Sequence, residues 1–163
     1  MSILKFENRT PRTLEDMYQY LLDPSKTDST ALFGLGLNPL YAVPEIKYVQ
    51  DIYFYSNLSH PYIQVIFSFD VGVSYDTPIL KQISMDIGSC LVLDARQVLG
   101  VIHYKNTDKK HCHYLINYVG INGNLYRQHY PITHYKARVN EVLLKYDLSP
   151  IMFYGFPQLQ VAI

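Results

Sequence analysis

QVLGVIHYKNTDKKHCHYLINYV, Gln97 to Val119, is the stretch whose reading decides the fold. Two runs rich in β-branched and aliphatic residues, Gln97 to Tyr104 and His111 to Val119, flank the polar segment KNTDKK. Such runs are strand material. A connection this short joins antiparallel neighbours, because a parallel crossover needs about a dozen residues or more. The expectation is a hairpin in the middle of the chain. Residues two apart in a strand share a face, so His111 and His113 point the same way and Cys112 points to the other side. His103 sits close to the end of the preceding strand, where the hairpin can bring it beside the pair. Three imidazoles around one cation leave coordination positions open for water or a substrate oxygen, as catalysis requires and a closed structural site does not allow.

The plainer reading stands beside it. A His-X-His pair among 6 histidines arises readily by chance, and an isolated histidine is usually structural or solvated. His60, His129 and His134 have no comparable setting, and the last two lie in or beside a loop around Pro131. Cys112, off the histidine face, reads as a small core residue.

Working outward, a first helix starts at Thr13, an N-cap with Asp16 three residues on. Its apolar stripe is Leu14, Met17, Tyr18, Leu21 and Leu22, and Pro24 follows; Tyr20 falls off that stripe. A second helix has Thr77 as cap and Pro78 at the first helical position, with Ile79, Leu80, Ile83 and Ile87 at helical spacing before Gly88. A third runs from Thr133 to about Asp147, with Tyr135, Val139, Val142, Leu143 and Tyr146 on one face. Tyr62 to Phe69, bounded by Pro61 and Gly72, reads as a strand. Residues 28–60 read as irregular apart from a helix over Leu40 to Tyr48. The fold class expected is α+β, a central antiparallel sheet with packed helices.

The chain has 163 residues and is 48% hydrophobic, the size of one domain spanning residues 1–163. Its ending FYGFPQLQVAI reads as a docking tail or a domain lacking further C-terminal segments. No stretch is apolar enough to span a membrane, MSILKFENRT is too polar for a signal-peptide core, and two cysteines are too few for a disulfide framework. A cytoplasmic protein without membrane association is expected. The balance of 14 Lys+Arg against 14 Asp+Glu gives no overall basic excess. A local patch can still meet phosphate: Lys105, Lys109, Lys110 and Arg127 are candidate contacts, with a solvated turn as the equal alternative. The 16 tyrosines, with no tryptophan, suit base stacking or core filling, the latter for most of them.

The run VIHYKNTDKKHCHYLINYVGINGNLYR, followed by YKARVNEVLLKYDLS, resembles the relaxases of plasmid and transposon mobilisation, members of the His-hydrophobe-His single-strand endonuclease superfamily. In that family a strand ends in His, a polar turn follows, and a His-hydrophobe-His strand leads to Asn and a Gly turn. YLLDPSKTDSTALFGLGLNP resembles the family's opening motif, and IFSF, Ile66 to Phe69, its strand ending in Ser-Phe. The motifs occur in order over roughly residues 13–150.

The resemblance implies a relaxase-like fold and a site- and strand-specific endonuclease that nicks one DNA strand at a transfer origin in conjugative mobilisation, through a 5′-phosphotyrosine intermediate. It makes His103, His111 and His113 ligands of a divalent metal ion, Mg²⁺ or Mn²⁺ with another transition metal open. Tyr20 becomes the nucleophile, with Tyr18 as runner-up. The implied partners are single-stranded or melted origin-of-transfer DNA and accessory mobilisation proteins. The chain departs from the family at Lys109 and Gln64, where histidines are common, and at DVGV after Phe69, where an acidic residue is usual. Replication initiators and single-strand transposases share the His pair but usually carry the tyrosine after it, whereas Tyr20 precedes. A non-catalytic DNA-binding relative would lack metal and nicking.

Overall fold

The computed structural model describes residues 1–7 and 12–152. The apolar ending, residues 153–163, lies outside them. Strands β1 (Ile3–Glu7), β2 (Leu32–Leu35), β3 (Tyr62–Ser68), β4 (Val98–His103) and β5 (His111–Asn117) form one sheet in the order β1-β3-β5-β4-β2. Every pairing is antiparallel. The hairpin read from the sequence is therefore β4–β5, and β5 is the middle strand. Its register sets His103 opposite His111 and Val101 opposite His113.

Alternation along the strands builds two cores. Val65, Phe67, Ile102, Cys112, Tyr114 and Ile116 pack with Leu80, Ile83 and Ile87 of α3 (Thr77–Leu91) and Val139 and Leu143 of α4 (Ile132–Lys145). On the other face, Tyr62, Leu99, Val101 and Leu115 pack with Leu14, Met17 and Leu21 of α1 (Leu14–Leu21) and Ala42 and Ile46 of α2 (Ala42–Ile52). The sheet thus lies between two helical layers. The histidines share the face of α1, while fully buried Cys112 lies on the opposite one, its thiol pushed up to about 12 by burial.

Several boundaries differ from those expected. The short edge strands β1 and β2 carry no alternation long enough to read. The helix expected over Leu40 to Tyr48 begins at Ala42, after a 3₁₀ turn Pro39–Tyr41, and continues to Ile52, burying Ile46 and Val49. The cap of α3 is Asp76, whose side chain accepts from Ile79 N at 3.3 Å, rather than Thr77. Gly88 does not end α3: a Cβ there would lie 3.1 Å from both Leu35 Cδ1 and Tyr114 Cε1. The glycine lets the helix approach the sheet, at up to about 1 kcal/mol of helix propensity. Gly100 serves β4 similarly, since a Cβ there would overlap the ring of Phe33, its cross-strand partner on β2. Among the described residues no helix is long and apolar enough to cross a membrane.

Candidate active site

β4 ends at His103 and β5 begins at His111, so the polar turn places both imidazoles at one end of the hairpin, with His113 one strand repeat further in. Ring centroids are 5.1 Å apart for His103–His111, 4.5 Å for His103–His113 and 5.0 Å for His111–His113. One nitrogen from each lies within 4.8 Å of the others, so the group can hold a metal ion. Metal–nitrogen bonds of about 2.0–2.1 Å put neighbouring ligand atoms roughly 3–3.5 Å apart, so small side-chain rotations close the cluster.

The donor set suits a cation. His103 Nε2 donates to the Leu21 carbonyl at 2.7 Å, and His111 Nδ1 donates to the Lys109 carbonyl at 3.1 Å. Each bond fixes a tautomer and leaves the other ring nitrogen as a lone-pair donor. Burial pulls the pKa of His113 down to about 2, helped by His103 and His111, and burial also lowers that of His103. Neutral imidazole is the form that ligates. The buried Nδ1 of His113 has no hydrogen-bond partner among the described residues.

Helix α1 brings the tyrosine. Thr13 caps it, its hydroxyl accepting from Asp16 N at 3.1 Å, and Leu14, Met17 and Leu21 face the sheet. That leaves Tyr20 at 43% exposure, off the buried stripe. Its ring stands in the wall between two cavities. One, of about 300 Å³, is lined by Tyr20, Lys26, Lys105 and all three histidines; the other, of about 460 Å³, by Tyr20, Arg12, Gln64, Ile66 and His113. The larger cavity of about 470 Å³ beside Arg12, Lys47 and Ser56 lacks the histidines and has no comparable chemistry. Arg12 Cζ lies 4.4 Å and Lys26 Nζ 4.8 Å from the Tyr20 ring centroid, both within cation–π range. Tyr18 lines neither histidine cavity; its hydroxyl donates to Pro39 O at 3.1 Å.

The four cations expected to meet phosphate are not gathered together. Lys105 lines the histidine cavity, its amine near Asp28 (3.5 Å) and Pro24 O (3.3 Å). Lys109 gives the site its backbone carbonyl. Lys110 turns away and donates to Val73 O at 3.2 Å. Exposed Arg127 follows Tyr126, which pairs with Tyr118 beyond the far end of β5, so it does not reach the histidines. Arg12 and Lys26 were the residues missed. Lys26 sits in the quoted YLLDPSKT motif, but its place over Tyr20 is set by backbone bonds of Tyr104 N and Lys105 N to Lys26 O, at 3.0 and 3.1 Å. Nothing in the local sequence around Arg12 signals its contact.

The family described as "Relaxase: MobA/VirD2-like, nuclease domain" matches residues 20–148. No curated protein matches the chain significantly. Among solved structures, the chain is similar to one described under "Molecular Basis of Vancomycin Resistance Transfer in Staphylococcus aureus", at 17% identity and a TM-score of 0.42. The similarity covers 62% of this chain and 60% of that one.

Proposed function

This chain belongs to the relaxase family of nuclease domains, whose description matches most of its length, and we propose that it nicks one strand of single-stranded or melted origin-of-transfer DNA with Tyr20 as the nucleophile. The observation that carries the reading is the cavity shared by Tyr20 and the three histidines. Tyr20 Oη attacks the scissile phosphorus. The new P–Oη bond forms as the P–O3′ bond breaks, and one proton passes from the phenol to the leaving 3′-oxygen. The products are a 5′-phosphotyrosine and a free 3′-hydroxyl. One ester replaces another, so the strand can be rejoined.

Arg12 and Lys26, beside the ring, attract the phosphate and offset negative charge developing on its oxygens during the transfer. Lys105 adds positive charge on the histidine side of Tyr20. His103, His111 and His113 would hold a divalent ion, Mg²⁺ or Mn²⁺, although imidazoles also suit other transition metals. Such an ion supplies Lewis-acid polarisation of a non-bridging phosphate oxygen. In this reading the protein works in the cytoplasm with accessory mobilisation proteins.

The test is incubation with a pool of single-stranded oligonucleotides and Mn²⁺, followed by peptide mapping of any covalent adduct. An adduct on Tyr20 is expected. One on Tyr18 would move the nucleophile, one on a tyrosine beyond residue 110 would favour an initiator or transposase, and the absence of any adduct would overturn the reading.

A further inference from the structure

The three imidazoles are not equally provided for. His103 and His111 each donate one N–H to a carbonyl oxygen, of Leu21 and Lys109 respectively. His113, the most deeply placed along the hairpin, has a buried Nδ1 with no such partner. Besides it, two other buried side-chain polar atoms among the described residues lack a partner, Gln64 Oε1 and Ser84 Oγ. Ser84 belongs to α3, on the opposite face of the sheet. Gln64 lies on the histidine face.

The register makes the pair. β3 sets Ile66 opposite His113 and Gln64 opposite Leu115, so Gln64 and His113 are diagonal neighbours on one face of adjacent strands. At that offset backbones are about 7–8 Å apart, within reach of a long side chain. Both residues line the cavity on the Arg12 side of Tyr20. One atom is a carbonyl-type acceptor with no donor, and the other is a ring nitrogen that can carry a proton. The two atoms are not hydrogen-bonded to each other in this structure, but a rotation of the Gln64 side chain would let each satisfy the other.

We propose that Gln64 is the positioning residue of His113, its side-chain carbonyl accepting the Nδ1–H and so reserving Nε2 as the lone-pair nitrogen. This rests on the metal-centre reading above and extends it. All three ligands then follow one rule, each N–H held by an amide oxygen: two from the backbone and the third from Gln64. A carboxamide orients the ring without adding negative charge, so it raises the ring's basicity less than a carboxylate would.

Gln64→Leu and Gln64→Glu, compared with the native protein, test this by two readouts. The first is the His113 tautomer in metal-free protein, from ring ¹⁵N shifts; the second is Mn²⁺ affinity by calorimetry. Native protein should show the Nδ1–H form. Gln64→Leu should lose it and bind Mn²⁺ about 10- to 100-fold more weakly, with an unchanged far-ultraviolet spectrum. Gln64→Glu, which keeps an acceptor, should bind at least as tightly as native. An unchanged tautomer in Gln64→Leu, a changed tautomer with unchanged affinity, or equal weakening in both variants would overturn the proposal. Failure of the native protein to bind Mn²⁺ would instead remove the metal-centre reading, and the tautomer comparison would still decide the Gln64 contact.

Discussion

Acidifying the metal-free protein should destabilise it well above the range where carboxylates titrate, and His113 should carry much of the effect. Its folded pKa lies near 2, against an ordinary value of 6.5, because burial beside two other imidazoles penalises the charged ring. The sign follows from proton counts. Below pH 6.5 the unfolded chain binds a proton at this site that the folded chain refuses, so unfolding becomes more favourable as pH falls. Each pH unit is worth about 1.4 kcal/mol for a fully shifted group, so lowering the pH from about 7.5 to 5 removes roughly 2 kcal/mol. The lowered pKa of His103 acts with the same sign. Aspartates held low, such as Asp28 at about 2 through its bonds from Thr30 and Tyr104, lose their contribution only below the ordinary carboxylate value of 3.8 and stay silent in this window. Urea unfolding in chelator at a series of pH values, for native protein and His113→Leu, measures the effect. Stability that is flat between pH 7.5 and 5, or a slope identical in the variant, would refute the burial argument.

Tyr20→Phe removes one hydroxyl from a ring 43% exposed, so stability should stay within about 0.5 kcal/mol while adduct formation falls to background. His111→Ala, at the rim of the cluster, should abolish Mn²⁺-dependent cleavage and leave the unfolding midpoint within a few degrees; unchanged cleavage would place the site elsewhere. Lys26→Ala should weaken oligonucleotide binding evenly across sequences and lower the salt-dependence slope by about one unit, read from binding isotherms at several salt concentrations. Gly100→Ala forces a methyl into the Phe33 ring and should cost about 1–3 kcal/mol in urea melts.

Much of this was legible where periodicity and turn chemistry agree. KNTDKK is too short for anything but a hairpin, and the His-X-His spacing put two imidazoles on the face away from Cys112. The α1 stripe left Tyr20 outside, as the structure also has it. The edge strands were illegible because Leu32–Leu35 offers only four residues, one of them Gly34, and its pairing with β4 is a long-range event. Gly88 looked like a stop because a glycine's local meaning and its packing meaning are indistinguishable until the sheet lies beneath it. The surroundings of Tyr20 were hidden for a similar reason. Arg12 precedes α1, Lys26 follows it, and only the tertiary position of the helix brings both to one ring. Arg127 follows the histidines closely in sequence, but β5 carries the chain to the far end of the sheet before reaching it.

The hydrogen bond from His103 to the Leu21 carbonyl adds a polar fastening at the end of α1 to the apolar packing that already holds the helix on the sheet. Leu21 is the last residue of an eight-residue helix, too short to hold itself together in water, and its carbonyl is among those a helix leaves unpaired at that end. The ring that takes it comes from β4, inside the five-stranded sheet. When the other nitrogen of that ring is engaged by a cation, its N–H becomes a stronger donor and the fastening tightens. Amide exchange along α1 should then slow when a cation is bound at the histidines, a change that hydrogen-exchange measurements with and without Mn²⁺ would read. The helix that carries Tyr20 would thus be fastened most firmly to the histidine strand when a cation is bound there.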